Sequence, residues 1–268
     1  MITADYHLHT NFSSDSDTLM EAMVERAIAL GLTQICFTDH MDYDFPKKYE
    51  LPFQFDVAAY FQKIEEMQHI YGNQIKILKG IELGLKPNIV PELTKLLNEY
   101  SFDYVIGSSH LVDNIDPYYP EFWENKTEEE GIVKYFQSIL KNISAFSGFD
   151  TYGHIDYIVR YAPNKNHDFS YEKYADILDE VLKTIISAGK AIEVNTAGYK
   201  YGLGHPNPRE DIITRYFELG GKYVTIGSDG HKPEHMAYDF SKAREMLLSL
   251  GIKEYAVFEN RTAKLLPL

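Results

Sequence analysis

His7 and His9 stand two residues apart at the end of a short apolar run. Residues i and i+2 of a strand point to the same face. Both imidazoles can therefore aim at one point, as they do when they hold a transition-metal ion. Taken alone, the pair fits a surface strand just as well. Six further runs of strand character add to it, each ending in a group that binds metal or hydrogen-bonds a substrate. In order these are His40, Glu82, His110, His154, Asn195, and Asp229 with His231. Six of the chain's ten histidines belong to this set. So many ligands exceed the needs of one ion; a carboxylate bridging two ions, with further ligands for a third, accounts for the number. Nitrogen and oxygen donors without thiolate suit Zn, Mn or Fe and do not separate them.

The elements that must position these groups alternate regularly. Seven β-rich runs are each followed by a loop and an amphipathic helix. Thr18-x-x-Glu21 and Thr127-x-x-Glu130 read as capping boxes, Asp56 and Ser170 as helix N-caps, and Gly31, Gly72 and Gly189 as helix stops. This rhythm over most of the chain predicts a (β/α) barrel or a doubly wound sheet. The first strand is not followed by a glycine-rich dinucleotide fingerprint. A barrel brings its strand C-termini to one mouth, where active sites are built. Residues 255–258 are a candidate eighth strand without a metal-ligand type. Nothing in the composition splits the chain, so residues 1–268 are expected to form a single domain. Segments 41–55, 111–125 and 197–208 are irregular and rich in aromatic, Gly or Pro residues, and are candidate lids.

Composition narrows the function. A net charge of −14 disfavours tight binding to nucleic-acid phosphates. With no apolar run of about 18 residues, a transmembrane helix is not expected. The first residues lack the basic and apolar regions of a secretory leader. Cys36 is the one cysteine and lies in an apolar run, so it is expected to pack rather than react, and a cytoplasmic location is expected.

Taken together, His7-Leu8-His9-Thr10 with Asp15, Thr38-Asp39-His40, Gly80-Ile81-Glu82, Ser109-His110, Gly153-His154 and Ser228-Asp229-x-His231 resemble the PHP (polymerase and histidinol phosphatase) superfamily. The stretch 191–198 and the chain length are most similar to its stand-alone histidinol-phosphate phosphatases. The resemblance implies a distorted (β/α)7, TIM-like barrel with a trinuclear metal site. One ion would be held by His7, His9, Glu82 and Asp229, and a second by Glu82, His110 and His154 with Glu82 bridging. A third would be held by Asp15, His40 and His231. The activity implied is hydrolysis of a small phosphate monoester, L-histidinol phosphate first, and the expected mechanism is in-line attack of a metal-bridging hydroxide on phosphorus.

Other residues are candidates around that centre. Arg160, six residues after His154, can grip two phosphoryl oxygens in a fork. Asn195 can donate to the substrate. His205, in the third loop, is counted with Arg160 and Asn195 as catalytic. Asp42, with Asp44 and Glu50, can meet the cationic amine of the substrate. Asp156 can orient a ligand histidine or cap a turn, and Asp17 reads as a solvated helix cap. His69, His167 and His235 are expected to lie outside the site. The expected partner is a small phosphorylated molecule, not nucleic acid or membrane; oligomeric state is left open. A broader phosphoesterase acting on nucleotides and a non-catalytic metal-binding module are the competing readings.

Overall fold

The computed structural model describes residues 1–165 and 167–268. The first strand, β1 (Ala4–Leu8), is buried along its whole length. Helix α1 (Met20–Ala29) follows, burying Met20, Met23, Val24 and Ala27 on one stripe. Next come β2 (Gln34–Phe37), a two-residue β3 (His40–Met41), α2 (Val57–Tyr71), β4 (Lys76–Gly84), α3 (Val90–Glu99) and β5 (Tyr104–Ser108). The second half contains α4 (Glu128–Ala145), β6 (Thr151–Tyr152), α5 (Ala175–Ser187), β7 (Ala191–Asn195), α6 (Ala197–Lys200), α7 (Glu210–Glu218), β8 (Val224–Gly227), α8 (Phe240–Ser249), β9 (Glu254–Glu259) and β10 (Thr262–Pro267).

The sheet order is β1-β2-β4-β5-β6-β7-β8, with β3 paired to β4, and every pair in it is parallel. Strands covered on both faces by neighbouring strands and helices explain the near-continuous apolar runs of the sequence. The ends of the sheet meet at β1 and β8. There the His9 N–H donates to the Gly230 carbonyl at 3.0 Å and the Gly230 N–H to the His7 carbonyl at 3.3 Å. The result is a nearly closed, distorted seven-stranded barrel. No helix among the described residues is long and apolar enough to cross a membrane.

Several local expectations change. Residues 255–258 do not extend the barrel. They belong to β9, which pairs antiparallel with β10 in a separate ribbon. That ribbon is tied to β1 by a hydrogen bond from the Tyr6 hydroxyl to the Phe258 carbonyl, 2.9 Å. The Thr127–Glu130 capping box forms, and Asp56 caps α2 through the N–H groups of Ala58 and Ala59. The Thr18–Glu21 box does not. The Thr18 hydroxyl donates instead to the His231 carbonyl at 2.8 Å, pinning the first loop to the end of the last barrel strand. Ser170 does not cap α5; its hydroxyl accepts from the Lys173 N–H at 3.3 Å, beside a short 3₁₀ turn that precedes the helix. Cys36 is fully buried in β2, as packing requires.

Candidate metal centre and active-site cavity

The barrel mouth gathers all nine predicted ligands into one cluster. Its hub is Glu82, which β4 carries into the barrel axis. Its two carboxylate oxygens face His40 Nδ1 at 2.8 Å, His154 Nε2 at 3.0 Å, His7 Nε2 and His110 Nε2 at 3.2 Å, and His9 Nε2 at 3.6 Å. Asp229 Oδ1 lies 3.5 Å from His9 Nε2. Asp229 turns the chain out of β8 with φ of 53°, a left-handed conformation that Asp tolerates better than most residues. On the rim, His231 Nε2 and His40 Nε2 lie 3.1 and 3.7 Å from Asp15 Oδ2.

Protonation cannot satisfy this cluster uniformly. Burial alone raises the Glu82 carboxyl, but His7, His40 and His110 outweigh it and hold it well below the usual carboxylate range. Burial lowers His7, yet Glu193, Glu82 and Asp229 overcome burial and raise it. His9, one residue pair away, is driven well below its ordinary value by burial and by His231 and His40. Among the described residues, His7 Nε2, His9 Nε2, His40 Nδ1 and Glu82 Oε2 are buried without a well-aligned hydrogen bond, although they crowd one another at 2.8–3.6 Å. Buried polar atoms normally find partners. Three of the groupings in which one atom per residue converges are His7–His9–Glu82, Glu82–His110–His154 and His9–His40–His231. A borderline cation fits this donor set, with imidazole and carboxylate ligands and no thiolate.

Residues behind the candidate ligands set their orientation. His7 Nδ1 lies 2.5 Å from Glu193 Oε1, and His110 Nδ1 lies 2.8 Å from Asp42 Oδ1. A carboxylate that accepts from Nδ1 leaves Nε2 as the free donor atom toward the centre. Asp39 accepts from the N–H groups of Thr10 and Ser13, and the Ser13 hydroxyl lies 3.1 Å from His9 Nδ1. Two glycines permit this closeness. A Cβ on Gly227 would stand 2.7 Å from Glu193 Oε1, and one on Gly84 would collide with the Asp42 carboxylate.

The cluster floors a cavity of about 650 Å³. Its walls come from the three irregular loops: Phe45, Leu51 and Phe53 from the first, Asp116, Tyr118 and Tyr119 from the second, Lys200 and Tyr201 from the third. The first two loops are joined where Tyr49 stacks on Tyr119 with ring centres 4.1 Å apart.

Arg160 lines the cavity, and its side chain is 2% exposed. Its Nε donates to Asn207 Oδ1 at 2.8 Å, Nη1 to Asp229 Oδ2 at 2.9 Å and Nη2 to Asn195 Oδ1 at 2.9 Å. Three of the five N–H groups are used and two remain. Asn195 is therefore placed behind Arg160 and outside the cavity lining, and its Nδ2 donates to Glu193 Oε2 at 3.1 Å. Asp42 lines the cavity; its Oδ1 faces His110 Nδ1 at 2.8 Å, while its Oδ2 is buried without a hydrogen-bond partner among the described residues. Asp44 pairs with Lys86 on the outside, and Glu50 is exposed. Asp156 orients no ligand histidine; it accepts from Asn207 Nδ2 and the Arg209 N–H, holding the third loop. His205 is buried outside the cavity lining, its Nδ1 2.6 Å from the Pro206 carbonyl. His235, expected outside the site, lines the cavity in its place. His69, His167 and Asp17 are exposed.

Sequence reasoning assigned no role to Glu193, Asp116, Lys200 or the tyrosines. Glu193 sits mid-strand among buried residues, Lys200 ends the one-turn helix α6, and Asp116 and the tyrosines beside it sit in a loop without periodicity.

A nearly closed parallel barrel with converging imidazoles and carboxylates at its strand C-termini is the scaffold of a metal centre. The chain belongs to the PHP domain family, which matches residues 5–197. It is 33% identical over 260 residues to a histidinol-phosphatase of Lactococcus lactis, covering 96% of this chain and 94% of that protein. A probable histidinol-phosphatase of Clostridium acetobutylicum is 34% identical, over 97% of this chain and 98% of its own. Among solved structures, the histidinol phosphate phosphatase of Lactococcus lactis complexed with Zn, L-histidinol and phosphate superposes with a TM-score of 0.89 at 32% identity. That match covers 98% of this chain and 99% of the other.

Proposed function

We propose that this protein is a metal-dependent phosphatase that hydrolyses L-histidinol phosphate to L-histidinol and phosphate, a reaction of histidine biosynthesis. The observation that carries the reading is Glu82, one carboxylate within 3.6 Å of five imidazole nitrogens. The likeness to a solved histidinol phosphate phosphatase over nearly the full length supports the substrate.

Three divalent ions are assigned, the first to His7, His9, Glu82 and Asp229, the second to Glu82, His110 and His154, the third to Asp15, His40 and His231. Zn is supported by its presence in the Lactococcus structure, and Mn or Fe suit the same donors. Such ions, when bound, lower the pKa of a coordinated water and neutralise charge on phosphoryl oxygens. The protein's own contribution is placement. Glu193 and Asp42 fix the His7 and His110 rings with Nε2 toward the centre. The two remaining N–H groups of Arg160 suit two phosphoryl oxygens, and Asn195, Asn207 and Asp229 hold the guanidinium still while they do so. Lys200, half-buried on the same wall, adds positive charge. The aromatic loops restrict water around the ester. Residues 1–268 are assigned to one such unit, acting in the cytoplasm on a small molecule. The net charge of −14 supports the exclusion of nucleic acid.

A side-by-side assay of the metal-loaded protein on L-histidinol phosphate, a nucleotide 3′,5′-bisphosphate and p-nitrophenyl phosphate tests this. The highest kcat/KM is expected on L-histidinol phosphate. Preference for the nucleotide would replace this reading with a nucleotide phosphoesterase.

A further inference from the structure

Four carboxylates line the cavity: Asp15, Asp42, Asp116 and Asp229. Three are already matched, Asp15 with His231, Asp42 with His110 and Asp229 with Arg160. Asp116 is different. Among the described residues, its Oδ1 accepts only from the Tyr118 backbone N–H, at 2.8 Å. No basic side chain among the described residues forms an ion pair with it. Its own N–H donates to the Tyr49 hydroxyl at 3.2 Å, which ties it to the first loop and holds it in the wall. Enclosure pushes its carboxyl up to about 6. A partly buried carboxylate with no ion-pair partner in contact gains most when a cation arrives.

The surroundings suit such a cation. Tyr118 and Tyr119 line the cavity beside Asp116, and Tyr118 packs edge-on against Tyr161 at 5.4 Å. Aromatic faces attract ammonium groups and stack on flat rings. The phosphoryl end of a substrate is drawn to the metal cluster and Arg160, so an unmatched acid in the loop wall remains for the opposite end. A cavity of about 650 Å³ has room for both ends at once.

We propose that Asp116 is the specificity-determining residue, pairing with the ammonium group of an amino-alcohol phosphate while the tyrosine wall covers the ring that the substrate carries. This rests on the phosphatase reading above. A phosphate ester without a cation gains nothing from Asp116, so the residue sets selectivity between substrates.

The test compares kcat/KM for L-histidinol phosphate with that for p-nitrophenyl phosphate, in wild type and in Asp116→Asn, both metal-loaded. The ratio between the two substrates is expected to fall about tenfold or more, through KM for L-histidinol phosphate, as loss of a charge-assisted bond implies. Calorimetric binding of L-histidinol alone is expected to weaken by a similar factor. Asp116→Ala, measured in the same way, must lower the ratio as well. A ratio within twofold of wild type overturns the assignment, whether both rates hold or both fall together. A wild type with no preference for L-histidinol phosphate overturns the phosphatase reading itself.

Discussion

Glu82→Gln is expected to lower kcat/KM on L-histidinol phosphate by about 10³-fold or more, and to lose most bound metal. The substitution keeps the shape of the side chain and removes its charge. The two Glu82 oxygens are shared by His7, His9, His40, His110 and His154. A neutral amide cannot bridge two cations as a carboxylate does, and its N–H₂ points a donor where a ligand atom is required. A loss of 10³ corresponds to about 4 kcal/mol of transition-state stabilisation, well within what metal activation supplies. Elemental analysis and phosphate release on the same sample check both parts. A variant that keeps its metal and stays within tenfold of wild type would remove Glu82 from the hub.

Arg160→Lys is expected to lower kcat/KM by about 10²-fold while bound metal stays close to wild type. The lysine retains a positive charge beside Asp229 but replaces a planar fork by a single point donor. The bracket of Asn195, Asn207 and Asp229 is shaped for three N–H groups in one plane. Losing one preorganised donor to developing negative charge commonly costs about 10²- to 10³-fold. The more drastic Arg160→Ala would also strip Asp229 of its partner, so its effect would mix metal loss with lost phosphate contact. Metal content measured alongside kinetics separates the two, and unchanged kinetics in Arg160→Lys would place the guanidinium outside the reaction.

The convergence of imidazoles and carboxylates was legible because its members share one rule. Each stands at or just beyond the C-terminal end of a barrel strand, or in the loop that follows, and a parallel barrel brings these ends together. The residues behind them obey no such rule. Glu193 lies within β7, whose five residues are all buried, and its reach to His7 depends on the missing Cβ of Gly227 on the neighbouring strand β8. Asp42 was legible as an acid near the site but not as the partner of His110, which requires Gly84 to let it turn inward. Asn195 marked a strand end as expected, yet its amide is spent on Arg160, Glu193 and Asp229. His205 and His235 exchanged places because loop residues carry no periodicity to say which face they take. Thr18 shows the same limit at a helix start: a hydroxyl that fits a capping pattern found a carbonyl from residue 231 instead. Local patterns identify which groups can act, whereas long-range contacts decide what each one touches.

The most direct test of the central claim is phosphate release from L-histidinol phosphate by one preparation, followed through verified removal of all metal and its return. The depleted protein is expected to retain about 1% of the activity or less, and Zn or Mn to restore it as the metal content approaches about three ions per chain. A protein still fully active with no metal bound would contradict the account.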